Sequence, residues 1–61
     1  MLKTFIDKDT QQTIAVNPNS VKIVRDTPIG AKIIFNDSSS SYVIVTDSYP
    51  KVVERLNEKT R

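Results

Sequence analysis

With 61 residues, 38% of them apolar, the chain supports one small domain spanning residues 1–61. It has no cysteine and no histidine, so a disulfide or a soft-metal site cannot staple it, and self-association is the remaining support for so small a core. Nine Lys/Arg against seven Asp/Glu leave a net charge of +2, a small surplus rather than the clustered basic field of most nucleic-acid binders.

Short β-rich runs separated by regularly spaced turn signals predict an antiparallel meander. The first strand is expected over Leu2–Ile6, followed by a turn through Asp7, Lys8, Asp9 and Thr10 whose register is open. Asp7 and Asp9 lack the glycine and the distant glutamate of a calcium loop, so a turn is the better reading. A second strand over Gln12–Val16 runs into Asn17-Pro18-Asn19-Ser20, a turn by composition. A two-residue version of that turn pairs Val16 with Val21 and Ile14 with Ile23.

The third strand, Val21–Arg25, leads to Pro28-Ile29-Gly30, which fits a three-residue hairpin loop with Gly30 in the left-handed position. That loop sets Thr27 against Ala31, Asp26 against Lys32 as an ion pair, Val24 against Ile34, and Ile23 against Phe35. The fourth strand is expected over Ala31–Asn36. An even-numbered polar loop from Asn36 to Ser41 then sets Phe35 against Tyr42, Ile34 against Val43, and Ile33 against Ile44 in a fifth strand, Tyr42–Thr46. The serine run lacks glycine or basic neighbours and reads as a hairpin tip rather than a phosphate loop.

A helix is predicted from Tyr49 to Lys59, capped by Asp47 or Ser48 with Pro50 in its first turn. Tyr49, Val52, Val53 and Leu56 form one apolar stripe, while Lys51, Glu54, Arg55, Glu58 and Lys59 form the wet side. Asn57 to Arg61 is a slightly basic tail that reads as a solvated helix end. The fold class is therefore α+β and mostly β: a meander of four to five short strands with one C-terminal helix on one face, or a meander curled toward a barrel.

One helix covers one face of a sheet, yet Ile33-Ile34-Phe35 and Val43-Ile44-Val45 are apolar on both. The register above places Ile14, Val16, Val21, Ile23, Ile33, Phe35, Tyr42 and Ile44 under the helix. The opposite face holds Thr13, Ala15, Lys22, Val24, Lys32, Ile34, Val43 and Val45, with Phe5 or Ile6 from the first strand. An apolar centre bordered by lysines marks Lys22, Val24, Lys32, Ile34, Val43 and Val45 as a candidate interaction face.

Enzyme chemistry has little to work with. General-base and nucleophile pairs lack their usual members, a single glycine offers no phosphate cradle, and Asp26 and Glu54 are taken up by expected ion pairs. No catalytic, metal or cofactor site is expected. No run reaches membrane-spanning length, and the opening residues are charged too soon for a signal peptide, so a cytoplasmic protein without membrane insertion is expected. Richness in Lys, Ile, Asn, Asp and Ser suits an AT-rich bacterial or phage genome.

The stretch Ile14-Ala15-Val16-Asn17-Pro18-Asn19-Ser20-Val21, with Thr27-Pro28, Lys32-Ile33-Ile34-Phe35, Tyr42-Val43-Ile44-Val45 and Val52-Val53-Glu54-Arg55-Leu56, resembles the small FlbD-like (SwrD-like) proteins of flagellar operons. A polar loop stands here in place of their Asn-Gly hairpin. The resemblance implies a cytoplasmic, non-catalytic accessory protein that acts by contact. The expectation is a protein-protein interaction module, adaptor or inhibitor-like, forming a homodimer through Val24, Ile34, Val43 and Val45. The alternative is a small nucleic-acid-binding regulator using Lys22, Lys32 and the basic residues of the helix.

Overall fold

Every expected strand and the single helix are present in the computed structural model, which describes residues 2–37 and 41–58. In chain order they are β1 (Lys3–Ile6), β2 (Thr13–Val16), a 3-10 turn (Pro18–Ser20), β3 (Val21–Thr27), β4 (Gly30–Phe35), β5 (Tyr42–Val45) and α1 (Tyr49–Asn57). The tip of the serine loop and the tail beyond Glu58 lie outside the described residues.

The strands form two antiparallel sheets, β1–β2 and β3–β4–β5, instead of one continuous meander. Asn17 decides this point. Its Oδ1 accepts a hydrogen bond from the Asn19 N–H at 3.0 Å, winding Pro18–Ser20 into a 3-10 turn. The expected Val16–Val21 and Ile14–Ile23 pairings are therefore absent, and β2 and β3 share no ladder. The sheets meet elsewhere, at an Asp7–Val45 bridge flanked by Lys8 N–H to Ile44 O (2.8 Å) and Thr46 N–H to Ile6 O (3.0 Å). They do not close into a barrel.

Register within the three-stranded sheet differs from expectation by one residue. The β3–β4 hairpin turns on Pro28-Ile29 alone, pairing Thr27 with Gly30, Asp26 with Ala31, Arg25 with Lys32, Val24 with Ile33 and Ile23 with Ile34. Thr27 tightens the turn: its Oγ1 donates to Gly30 O at 2.6 Å and accepts from Ile29 N–H at 3.3 Å. Proline cannot take positive φ, so the twist falls on Gly30, at φ 144°. A bulge at Lys22 then re-phases β3, so that Val21 pairs with Phe35 and shares a face with Val24. Across the next hairpin Ile34 pairs with Tyr42, Ile33 with Val43, Lys32 with Ile44 and Ala31 with Val45. The expected Asp26–Lys32 ion pair is replaced by two cations opposite each other.

One core results. Phe5 and Val16 from β1–β2, Ala31, Ile33 and Val45 from the larger sheet, and Val52 from α1 are buried together. Ile14, Val21, Val24, Phe35, Val43 and Leu56 pack around them. The inner face of β3–β4–β5 is thus covered jointly by the smaller sheet and by the helix, which lies on β3 and β4. The smaller sheet supplies the cover that the helix alone could not. Its register, Phe5 opposite Ile14 and Lys3 opposite Val16, turns Phe5 inward and leaves Ile6 exposed.

Candidate functional site

Among the described residues, no element covers the outer face of β3–β4–β5. Two rows of side chains cross it: Ile23, Ile34 and Tyr42, then Arg25, Lys32 and Ile44. Its outward placement follows from register. Once Val24, Ile33 and Val43 point inward, strand alternation sends their neighbours out. Ile34, central in its row, is only 8% exposed because its strand neighbours flank it, whereas Ile23 and Tyr42 are 38% and 53% exposed. Exposed Ile23 and Tyr42 and half-buried Ile44 therefore lie together around a covered Ile34 on this face.

Charge on this face has one sign. Arg25 and Lys32 are directly opposite across the β3–β4 pair, and the Lys32 ammonium sits 4.2 Å from the centre of the Tyr42 ring. Ion pairs among the described residues are Lys3–Glu58 at 3.0 Å and Arg55–Asp47 at 3.5 Å, so neither cation faces a carboxylate there. Beside the face, the β1–β2 turn and β5 enclose an open hollow of about 240 Å³ lined by Asp7, Lys8, Asp9, Thr10, Ile29, Tyr42, Val43 and Ile44. Asp7 is occupied locally, its Oδ1 accepting from the Asp9 N–H at 2.8 Å. Such a face can recognise a partner by apolar contact and charge.

The candidate residues read from the sequence do not share one surface. Val45 is fully buried, and Val24 and Val43 pack against the core, so these three are corrected from an exposed face to the interior. Lys32 and Ile34 do lie on the outer face. Lys22 is the bulged residue at the β3 edge, beside a shallow groove lined also by Val53, Leu56 and Asn57 of the helix. In their place stand Ile23, Arg25, Tyr42 and Ile44. Of these, Ile23, Tyr42 and Ile44 had been assigned to the core face, and only the true register moves them out. A sequence signal did exist: Val21 and Val24, three apart, can share one face of a strand only across a bulge.

The helix holds a second departure. Arg55, expected on the wet side, is partly buried against β1: its Nη1 donates to Thr4 O at 2.6 Å and its guanidinium lies 4.7 Å from the Phe5 ring centre. Asp47 faces Arg55 instead of capping the helix, and Ser48 is the N-cap without a side-chain cap bond. At the other end Lys3 holds the Glu58 carboxyl below its ordinary value, first by a hydrogen bond and then by charge. These contacts fasten α1 to β1.

No family model, no curated protein and no solved structure matches this chain.

Proposed function

We propose that the chain is a non-enzymatic protein-interaction module, an adaptor or inhibitor-like accessory protein of bacterial or phage origin, working by contact through the outer face of β3–β4–β5. One observation carries this reading: Ile23 and Tyr42 stand exposed and Ile44 half-buried on one face beside Arg25 and Lys32, and no described element forms a layer over them. Apolar centres with cationic and aromatic members typify contact surfaces. The resemblance of the stretches Ile14–Val21, Thr27-Pro28, Lys32–Phe35, Tyr42–Val45 and Val52–Leu56 to FlbD-like accessory proteins points the same way. A homodimer through Val24, Ile34, Val43 and Val45 has lost its basis, since three of those four side chains serve the core. Action in the cytoplasm belongs to this proposal; no described helix is long and apolar enough to cross a membrane.

The test uses the immobilised chain in a lysate of its source cells, with Ile23→Ser/Tyr42→Ala alongside. Both positions are exposed, so the variant should keep its fold, which circular dichroism of the purified variant checks. Proteins held by the parent should be lost from the variant and should rebind the parent when purified. Equal retention by both refutes the reading.

A second reading, a nucleic-acid-binding regulator, is favoured by one specific observation. Tyr42, expected in the core, is exposed beside Lys32 on the sheet face that also carries Arg25, the residue types that stack bases and meet phosphates. Filter binding across salt concentrations separates the two, because phosphate-dominated affinity falls steeply with salt.

A further inference from the structure

Resting on the contact face just proposed, the geometry points to its occupant: an acidic–aliphatic segment of a partner protein, with carboxylates meeting Arg25 and Lys32 and apolar side chains on Ile23 and Ile44. Two like charges directly opposite on neighbouring strands repel, and a carboxylate at either position would relieve the fold. Within the fold Lys32 rests on the Tyr42 ring, whereas Arg25 has no oppositely charged partner among the described residues, so folding gives no reason for a cation at Arg25. Departures from local consistency of this kind fall at functional sites. Neither cation has a carboxylate partner among the described residues, and both stand beside isoleucines, so the complementary surface carries negative charge interleaved with aliphatic groups.

The other occupants fit worse. A second copy meeting this face across a two-fold axis would bring two such cation pairs together. A nucleic-acid strand needs successive aromatics along a cationic track, whereas this face has one ring, with a lysine over it.

The experiment selects random displayed peptides against the immobilised full chain, with a mixed-sequence single-stranded oligonucleotide as a competing probe. Enriched peptides should carry Asp or Glu beside Ile, Leu or Val. Arg25→Glu and Lys32→Glu should each weaken the best peptide about tenfold or more. Arg25→Lys should retain it. Arg25→Glu should leave Tm unchanged or raised, since it places opposite charges across β3–β4, and this separates lost binding from lost folding. No enrichment, enrichment without acids, or displacement of the peptide by the oligonucleotide overturns the inference. If the charge reversals still hold the host proteins that Ile23→Ser/Tyr42→Ala releases, the acidic occupant falls and the contact face stands. If all variants hold them, both fall.

Discussion

Gly30→Ala should cost this protein much of its stability. Gly30 has φ 144°, a region that residues with side chains rarely adopt, and an added Cβ would press into the Val45 carbonyl oxygen and meet Ile44 Cγ2 at 3.3 Å. Backbone strain of this kind costs about 1–3 kcal/mol. Overpacking against a strand backbone, which no rotamer change relieves, adds roughly 1–3 kcal/mol. The sum, about 2–6 kcal/mol, compares with a total of roughly 3–9 kcal/mol for a domain of this length. At about 4–8 °C per kcal/mol, Tm should fall by at least 8 °C, and at the upper end no folded state survives. Thermal melts followed by circular dichroism read this directly, with Ile29→Ala in the same turn, 57% exposed, as the near-neutral control. Gly30→Asn sharpens the test. Asparagine tolerates an ordinary left-handed turn position, as in the expected three-residue loop, but here it should fail as badly as alanine. A Gly30→Asn protein melting within about 4 °C of the parent would refute the close approach to β5 and restore the longer loop.

Three further predictions follow from the packing. Ile33→Ala should cost about 2–5 kcal/mol in urea unfolding and Ile23→Ala under about 1 kcal/mol, because only Ile33 lies inside; equal losses would return Ile23 to the core. Arg55→Ala should cost roughly 1.5–3 kcal/mol by loss of its bond to Thr4 O and its stacking on Phe5, and an unchanged urea midpoint would show that the guanidinium is solvated. Glu58, lowered by Lys3 from its ordinary value of 4.5, stabilises the fold above its unfolded pKa and loses that contribution as pH falls through the lower folded value. The parent should therefore weaken in acid below about 4.5 more than Glu58→Gln does; superimposable acid limbs would refute the latch.

Much of the fold was legible because local chemistry specifies it. Asn17-Pro18, Pro28 to Gly30 and the run Asn36 to Ser41 punctuate five β-rich stretches, and Tyr49, Val52, Val53 and Leu56 recur at helical spacing. Each boundary depends on residues a few positions apart, so the elements came out within a residue or two. The contact face was not legible for the same reason inverted. A strand's faces exchange with a one-residue change of register, and here two small events set that register: a turn on Pro28-Ile29 rather than Pro28 to Gly30, and a bulge at Lys22. Both Ile23 and Val24 suit either face by hydrophobicity. Nothing in their own chemistry selects one.

What the sequence by itself determined is the set of elements, their order, the α+β class and an excess of aliphatic groups larger than one helix could cover. What only the tertiary structure decided is how that excess divides. Phe5, Ile14 and Val16 form a second layer over the inner face, so Val24, Val43 and Val45 became core. Ile23, Tyr42 and Ile44 were left on the outer face with Arg25 and Lys32, around a nearly covered Ile34. The physical reason is that turn and helix signals act over a few residues, whereas the side of a strand that meets water depends on contacts between residues far apart in the chain.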